Sequence, residues 1–355
     1  MELTALGFTD WFRQAYLDSG KQECHVARVT AVDRGGYFVR STGEEVFAEL
    51  AGNFVFAVND SSGYPVVGDW VLVDYFNDAT LAIIYGLLPR RTVLRRKTAG
   101  KKVDYQMIAA NIDTACIVQS CDFNFNLRRL ERYLVMVRDG GITPLVLLSK
   151  SDLTSPEELK QKISAIRDAG IDAEAIAYSV KTGVGLTQLQ AALVAGKTCC
   201  LLGSSGVGKT TLLNRLIRQD AFETNLVREK DGKGRHTTSR RQLVVLDGGV
   251  MLIDTPGMRE LGNIGMDIGI SKSFADIMAL SRDCRFKDCT HTSETGCAVL
   301  RSLEEGSLSE SRYQSYLKLQ KESAHYQMSY VEKRKKDRKL GRFYRSVMKH
   351  NQKKP

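Results

Sequence analysis

Over residues 1–20 the apolar positions recur with helical spacing, so that Phe8, Trp11, Phe12, Ala15 and Tyr16 lie near one face. From about residue 22 to 95 the period drops to two. β-Branched and aromatic residues alternate with polar ones at 25–32, 36–41, 45–48, 69–74 and 81–87, and residues 33–36 and 59–63 interrupt them with turn formers. Five short strands in this span predict a small closed β-barrel, for which the OB-fold is a common solution, with an oligonucleotide-binding surface as the matching expectation.

From about residue 105 the pattern lengthens again, now broken by short apolar runs. Strands are predicted at 113–119, 143–148, 173–178 and 198–202, and helices at 127–138, from Ser155, and at 187–194. Ser155, Pro156 and Glu158 supply an N-cap, a proline at the first helical position and a capping-box glutamate. Such alternation builds a parallel sheet with helices on both faces, an α/β fold. Residues 243–246 and 250–253, joined by Asp247, Gly248 and Gly249, read as a hairpin. Beyond about 265 no strand is predicted, only helical segments, a cysteine cluster and a basic end. Three domains are expected: 1–98, 99–265 and 266–355.

Residues Gly203, Ser204, Ser205, Gly206, Val207, Gly208, Lys209 and Thr210 fit G-x-x-x-x-G-K-[ST], between an apolar strand and a helix that opens at Thr211. The glycines let backbone N–H groups turn toward phosphate oxygens. Lys209 brings a point charge to the β- and γ-phosphates, and the Thr210 hydroxyl suits Mg²⁺. The helix N-terminus adds its positive end. Asp254 and Gly257 form D-x-x-G after the second hairpin strand: the carboxylate would reach Mg²⁺ through water, and the Gly257 N–H the γ-phosphate. In the polar segment between them, Thr237 or Thr238 would be a further Mg²⁺ ligand, and spacing does not choose. The residue after Gly257 is Met258, which cannot orient a water as the glutamine of Ras-type enzymes does. His236 is the candidate for that task, with packing inside its loop as the equal alternative.

Two base-side loops come before the phosphate loop. Ser149, Lys150, Ser151 and Asp152 vary the Asn-Lys-x-Asp pattern, and Ser179, Val180 and Lys181 resemble the second base loop. A buried Asp152 would accept from guanine N1–H and the 2-amino group, donors that adenine lacks in that arrangement. Lys150 would lie along the base, and Ser149 keeps a hydroxyl where the pattern has an amide. Base loops first and phosphate loop second is the order of a circularly permuted GTPase.

Cys284, Cys289, His291 and Cys297 form C-x₄-C-x-H-x₅-C, the donor set of a closed, structural Zn²⁺ site. The other cysteines are scattered or adjacent, a poor disulfide framework. Charge is localised as well. Residues 333–355 hold eleven Lys/Arg against one Asp, a balance of +10 that equals the net charge of the whole chain. Phe343 and Tyr344 sit among these cations, which favours nucleic-acid contact over a merely solubilising end. No apolar run approaches the ~20 residues of a membrane span, and the N-terminus lacks the pattern of a secretion signal. A cytoplasmic protein without membrane contact is the expectation.

The order of these motifs, with Cys289, Thr290, His291 and Thr292 inside the cluster, resembles the small ribosomal subunit biogenesis GTPases of the RsgA/YjeQ family over the whole chain. The resemblance implies an OB-fold barrel, a circularly permuted GTPase domain and a helical zinc domain. It also implies GTP/GDP with Mg²⁺, one structural Zn²⁺, and binding to the 30S subunit and 16S rRNA in late subunit maturation; a monomer is expected. Hydrolysis stimulated by the subunit would fit the missing glutamine. The departure is Ser149.

Overall fold

The structure, a computed structural model, describes residues 2–33, 35–58, 60–97, 105–220, 241–254 and 267–327. A 3-10 turn, Leu3–Leu6, and helix α1 (Asp10–Asp18) precede the barrel. Strands β1 (His25–Asp33), β2 (Gly36–Arg40) and β3 (Val46–Leu50) are followed by helix α2 (Gly52–Ala57), then by β4 (Trp70–Phe76) and β5 (Leu81–Leu87). The strands pair β1–β2–β3–β5–β4, and β4 returns to β1, so the barrel closes; β3 and β5 run parallel and the other pairs antiparallel. This is the expected OB-fold arrangement.

Strand alternation explains why β1 and β4 are buried on both faces. Ala27, Val29, Val71 and Val73 fill the barrel interior with Val39, Ala48, Ala82 and Ile84. The intervening residues Val26, Trp70 and Leu72 face outward, where Leu6, Phe8 and Phe12 cover them. The Phe8 ring meets Trp70 edge-on at 4.9 Å. The amphipathic N-terminal helix is thus the barrel's outer cover.

A hairpin of β6 (Val93–Lys97) and β7 (Tyr105–Ala110) leads out of the barrel, where the sequence pattern gave no sign of one. Alternation is hidden in β6 because Arg95 and Arg96 stand on it and are engaged laterally. Arg95 pairs with Asp139 at 3.1 Å and lies over the Tyr105 ring, and Arg96 donates to Gln106 Oε1 at 2.9 Å. The expected 98/99 boundary falls inside this hairpin.

The α/β part then runs β8 (Thr114–Ser120), α3 (Leu127–Asp139), β9 (Thr143–Ser149), α4 (Pro156–Asp168), β10 (Glu174–Ala177) and α5 (Leu186–Ala192). It continues with β11 (Thr198–Leu202), α6 (Lys209–Asp220), β12 (Arg241–Val245) and β13 (Met251–Asp254). The capping box of α4 is formed by Ser155 and Glu158. The sheet order is β10–β9–β8–β11–β13–β12, parallel except for β12. One core cluster covers each face.

The barrel and this sheet are one hydrogen-bonded surface. β12 pairs antiparallel with β1, Ala31 opposite Gln242 and Val32 opposite Arg241. Arg28 on β1 is the polar centre of the joint and is 1% exposed. Its guanidinium donates to Leu6 O, to Gly68 O at 3.3 Å, to Asn111 O at 3.1 Å and to Thr198 Oγ1 at 2.9 Å, with Met251 Sδ at 3.0 Å. Burial pushes its pKa down to about 10, against the attraction of Asp113 and Asp69.

Helices α7 (Asp267–Ser273), α8 (Ala275–Ser281), α9 (Ala298–Glu304) and α10 (Glu310–Gln327) pack as a unit against α3. The approach is close: a Cβ at Gly269 would sit 2.1 Å from Val135 O. Arg132 of α3 pairs with Glu322 at 2.8 Å. Arg312 reaches back to Ala169 O at 2.7 Å while pairing with Asp276 at 2.8 Å.

Candidate functional site

The C-terminal ends of the parallel strands meet at one edge, and the predicted loops lie there together. β11 is buried along its whole length and turns at Gly203, where a φ of +145° and the approach of Val118 O, 2.5 Å from where a Cβ would sit, exclude a side chain. Val207 is buried and anchors the loop, while Ser205, Gly206, Thr210 and Thr211 are exposed. Lys209 opens α6, and its Nζ donates to Gly203 O and Ser204 O, both at 2.7 Å. The ammonium is therefore held over the loop's own carbonyls, within the curve where phosphate oxygens would compete for it.

The base-side loops follow β9 and β10, two and three strands from β11. Ser149 ends β9 fully buried, and its Oγ donates to Val207 O at 2.6 Å. One short side chain thus ties the first base-side loop to the phosphate loop. Lys150 adopts φ +56°, uncommon for a residue with a Cβ, and its Nζ donates to Asp122 Oδ2 at 2.9 Å. Ser151 N donates to Tyr178 O at 3.2 Å. Asp152 Oδ1 accepts from Ser179 Oγ at 2.6 Å, so the two base-side loops are linked through the residues expected to read the base. Asp152 is exposed in this structure and not buried. Val180 packs under the loop against the second core cluster, and Lys181 is exposed.

Asp254 closes β13 beside β11, its backbone paired with Gln242, at the same edge as the phosphate loop. His236, Thr237, Thr238, Gly257, Met258 and the basic end lie outside the described residues.

One loop of this edge was not legible as functional. Residues 121–126, between β8 and α3, put Asp122 on Lys150 and Asn124 Nδ2 3.5 Å from Ser205 O of the phosphate loop. Burial opposes the charge of Asp122, but Lys150, the Ser120 hydroxyl and the Asn124 N–H outweigh it and hold the carboxyl at about 2. The available signal was Asp-x-Asn directly after a strand and before the Asn126 helix cap.

The second cluster lies in the segment between α8 and α9, against α10. Sγ of Cys284, Cys289 and Cys297 and a ring nitrogen of His291 lie within 4.8 Å of one another. Cys284 Sγ is 3.9 Å from Cys297 Sγ and 3.6 Å from His291 Nδ1, and Cys297 Sγ is 3.4 Å from that nitrogen. Tetrahedral bonds of about 2.3 Å to sulfur and 2.0 Å to nitrogen require edges of roughly 3.8 and 3.5 Å, so Cys284, Cys297 and His291 already match one face of such a tetrahedron. The residues fit Zn²⁺. Burial pushes the His291 pKa down and favours the neutral imidazole that can ligate, against the pull of Glu294. Burial also pushes Cys284 up, but the N–H groups of Ala298 and Val299 bring its thiol below the ordinary value. Tyr313 Oη donates to His291 O at 2.6 Å and ties the cluster to α10.

A phosphate loop fed by a central parallel strand, with base-side loops supplied by earlier strands of the same sheet, defines a circularly permuted GTPase. The RsgA GTPase family model matches residues 87–264. Small ribosomal subunit biogenesis GTPase RsgA 2 of Lactiplantibacillus plantarum is 43% identical over 300 residues, 84% of each chain. The Vibrio vulnificus protein of that name is 37% identical over 351 residues, 99% of this chain and 96% of its own. Among solved structures, YjeQ from Thermotoga maritima is similar with a TM-score of 0.62 at 25% identity, over 84% of this chain and 98% of that one. YloQ, a circularly permuted GTPase, shares the fold with a TM-score of 0.61 over 86% and 97%. The chain belongs to the RsgA family of small ribosomal subunit biogenesis GTPases, and it is a GTP hydrolase.

Proposed function

We propose that this chain hydrolyses GTP under control of the small ribosomal subunit, gripping 16S rRNA with its flanking domains late in 30S maturation. The observation that carries the reading is the Ser149–Val207 hydrogen bond, which ties the first base-side loop to the phosphate loop. The units at work are residues 1–98, 99–265 and 266–355, in the cytoplasm and as a monomer.

In this reading Asp152 accepts from the guanine N1–H and 2-amino groups with the carboxylate that Ser179 orients, and Lys150 covers the base. The N–H groups of residues 203–211 and the Lys209 ammonium cradle the phosphates, and this chain needs little covalent chemistry beyond that positioning. Thr210, Asp254 and either Thr237 or Thr238 would hold Mg²⁺, which would neutralise charge on the β- and γ-oxygens. The Gly257 N–H would meet the γ-phosphate. His236 would orient the attacking water, since Met258 cannot. Cys284, Cys289, His291 and Cys297 would hold a structural Zn²⁺ that stiffens the RNA-gripping unit.

Because the permuted order leads from the D-x-x-G loop directly toward the zinc unit, loss of the γ-phosphate at residues 254–257 would shift that unit's grip. Sedimentation of 30S particles with the protein tests this switch. Tighter binding with a non-hydrolysable GTP analogue than with GDP is expected, and equal affinity would contradict the switch.

A further inference from the structure

Residues 121–126 alternate in direction. Asp122 and Asn124 turn into the site, and Phe123 between them is fully exposed. The Asp122 side chain is 14% exposed and accepts from Ser120 Oγ at 2.6 Å, from Asn124 N at 2.9 Å and from Lys150 Nζ at 2.9 Å. Arg129, in the first turn of α3, donates to Asn124 Oδ1 at 2.9 Å and holds the loop from behind.

Lys150 needs such support. A residue with a Cβ at φ +56° persists only where its surroundings fix it. Its neighbour Ser149 supplies one tether and no more: a hydroxyl has a single hydrogen, committed to Val207 O at 2.6 Å, and Gln119 O lies 3.4 Å away. An asparagine amide at that position would offer two N–H donors.

We infer that Asp122 is a positioning residue of the guanine site, holding the Lys150 ammonium so that the lysine's aliphatic stem lies along the face of the base. The inference rests on the reading of residues 149–152 as the base loop. Asp122 touches no nucleotide itself; it acts through Lys150, from a loop that precedes the base loop by one helix and one strand.

Fluorescent GDP titration of the full chain tests the inference, with Asp122→Ala, Asp122→Asn, Lys150→Met and the two double variants. Asp122→Ala is expected to weaken GDP about five- to tenfold, the range for one charge-assisted contact at a partly exposed pair. Asp122→Asn, which keeps an acceptor and the loop's shape, should lose about half as much on a logarithmic scale. In the Lys150→Met background, Asp122→Ala should change affinity less than twofold, because the partner is already gone. Affinity equal to wild type in Asp122→Ala, or the same further loss in the Lys150→Met background, would overturn the positioning role and leave the base-loop reading standing. Wild-type protein that binds ADP as tightly as GDP would overturn that reading and the inference with it.

Discussion

Replacing Arg28 with methionine keeps an apolar stem of similar length and deletes the guanidinium at the joint between barrel and sheet. Four oxygens lose a donor, but not equally. Gly68 O keeps the Asn111 Nδ2 donor at 3.1 Å, and the Thr198 hydroxyl can rotate to a new partner. Leu6 O and Asn111 O find no other donor among the described residues. Each unsatisfied buried carbonyl costs about 1–3 kcal/mol. Water can relieve part of this, because Arg28 lines a cavity of about 390 Å³ together with Asn111 and Thr198. Release of a guanidinium that burial disfavours also offsets part of it. The expected net cost is about 3 kcal/mol. Trp70 is buried with Arg28 5.4 Å from its ring centroid, so its emission reports opening of the joint. Urea unfolding followed by that emission, in a Trp11→Phe background that silences the other tryptophan, measures the effect. A midpoint unchanged within error would refute the assignment of Arg28 as the structural centre of the joint.

Cys297→Ser should abolish stoichiometric zinc, measured by elemental analysis, and lower the thermal transition of the C-terminal helices by several degrees or more. Gly203→Ala should weaken nucleotide binding at least tenfold, because its Cβ would lie 2.5 Å from Val118 O and the loop must move. Asp152→Asn should shift binding preference from guanine toward xanthine nucleotides in competition titrations. Asp122 and Asp276 both have carboxyls held below their ordinary 3.8, against burial, by Lys150 and Arg312 respectively. The unfolded chain therefore binds more protons than the native one in acid, so stability falls as pH drops from about 4 to about 2 and is retained above. Circular dichroism across that window should show Asp276→Asn flattening the loss.

Local chemistry was the legible part of this protein. The glycines at 203, 206 and 208 and the Lys209–Thr210 pair announced a phosphate loop because phosphate binding demands those residue types at that spacing. Cys284, Cys289, His291 and Cys297 announced a candidate metal site for the same reason, and their four donors lie within 4.8 Å of one another; the capping box at Ser155 and Glu158 marked its helix within a residue. Pairings between distant segments were not legible. Nothing in Ala31 or Val32 specifies Gln242 and Arg241 as partners, since an antiparallel edge can accept any strand of suitable register. Strand β6 was hidden by arginines that a polar pattern counts as exposed, although Tyr105, Asp139 and Gln106 engage them. Asp122 was invisible for a related reason: an acidic residue in a loop has no signature until its lysine, 28 positions later, is brought beside it. Asp152, which the base-reading role would bury, is exposed.

The central claim is control of GTP hydrolysis by the small subunit, and its most direct measurement is the single-turnover hydrolysis rate with and without purified 30S particles. Without a glutamine after Gly257 the intrinsic rate should be slow, and 30S particles should raise it by at least about tenfold, with most of that gain lost in His236→Ala. An unchanged rate at saturating 30S would contradict the account.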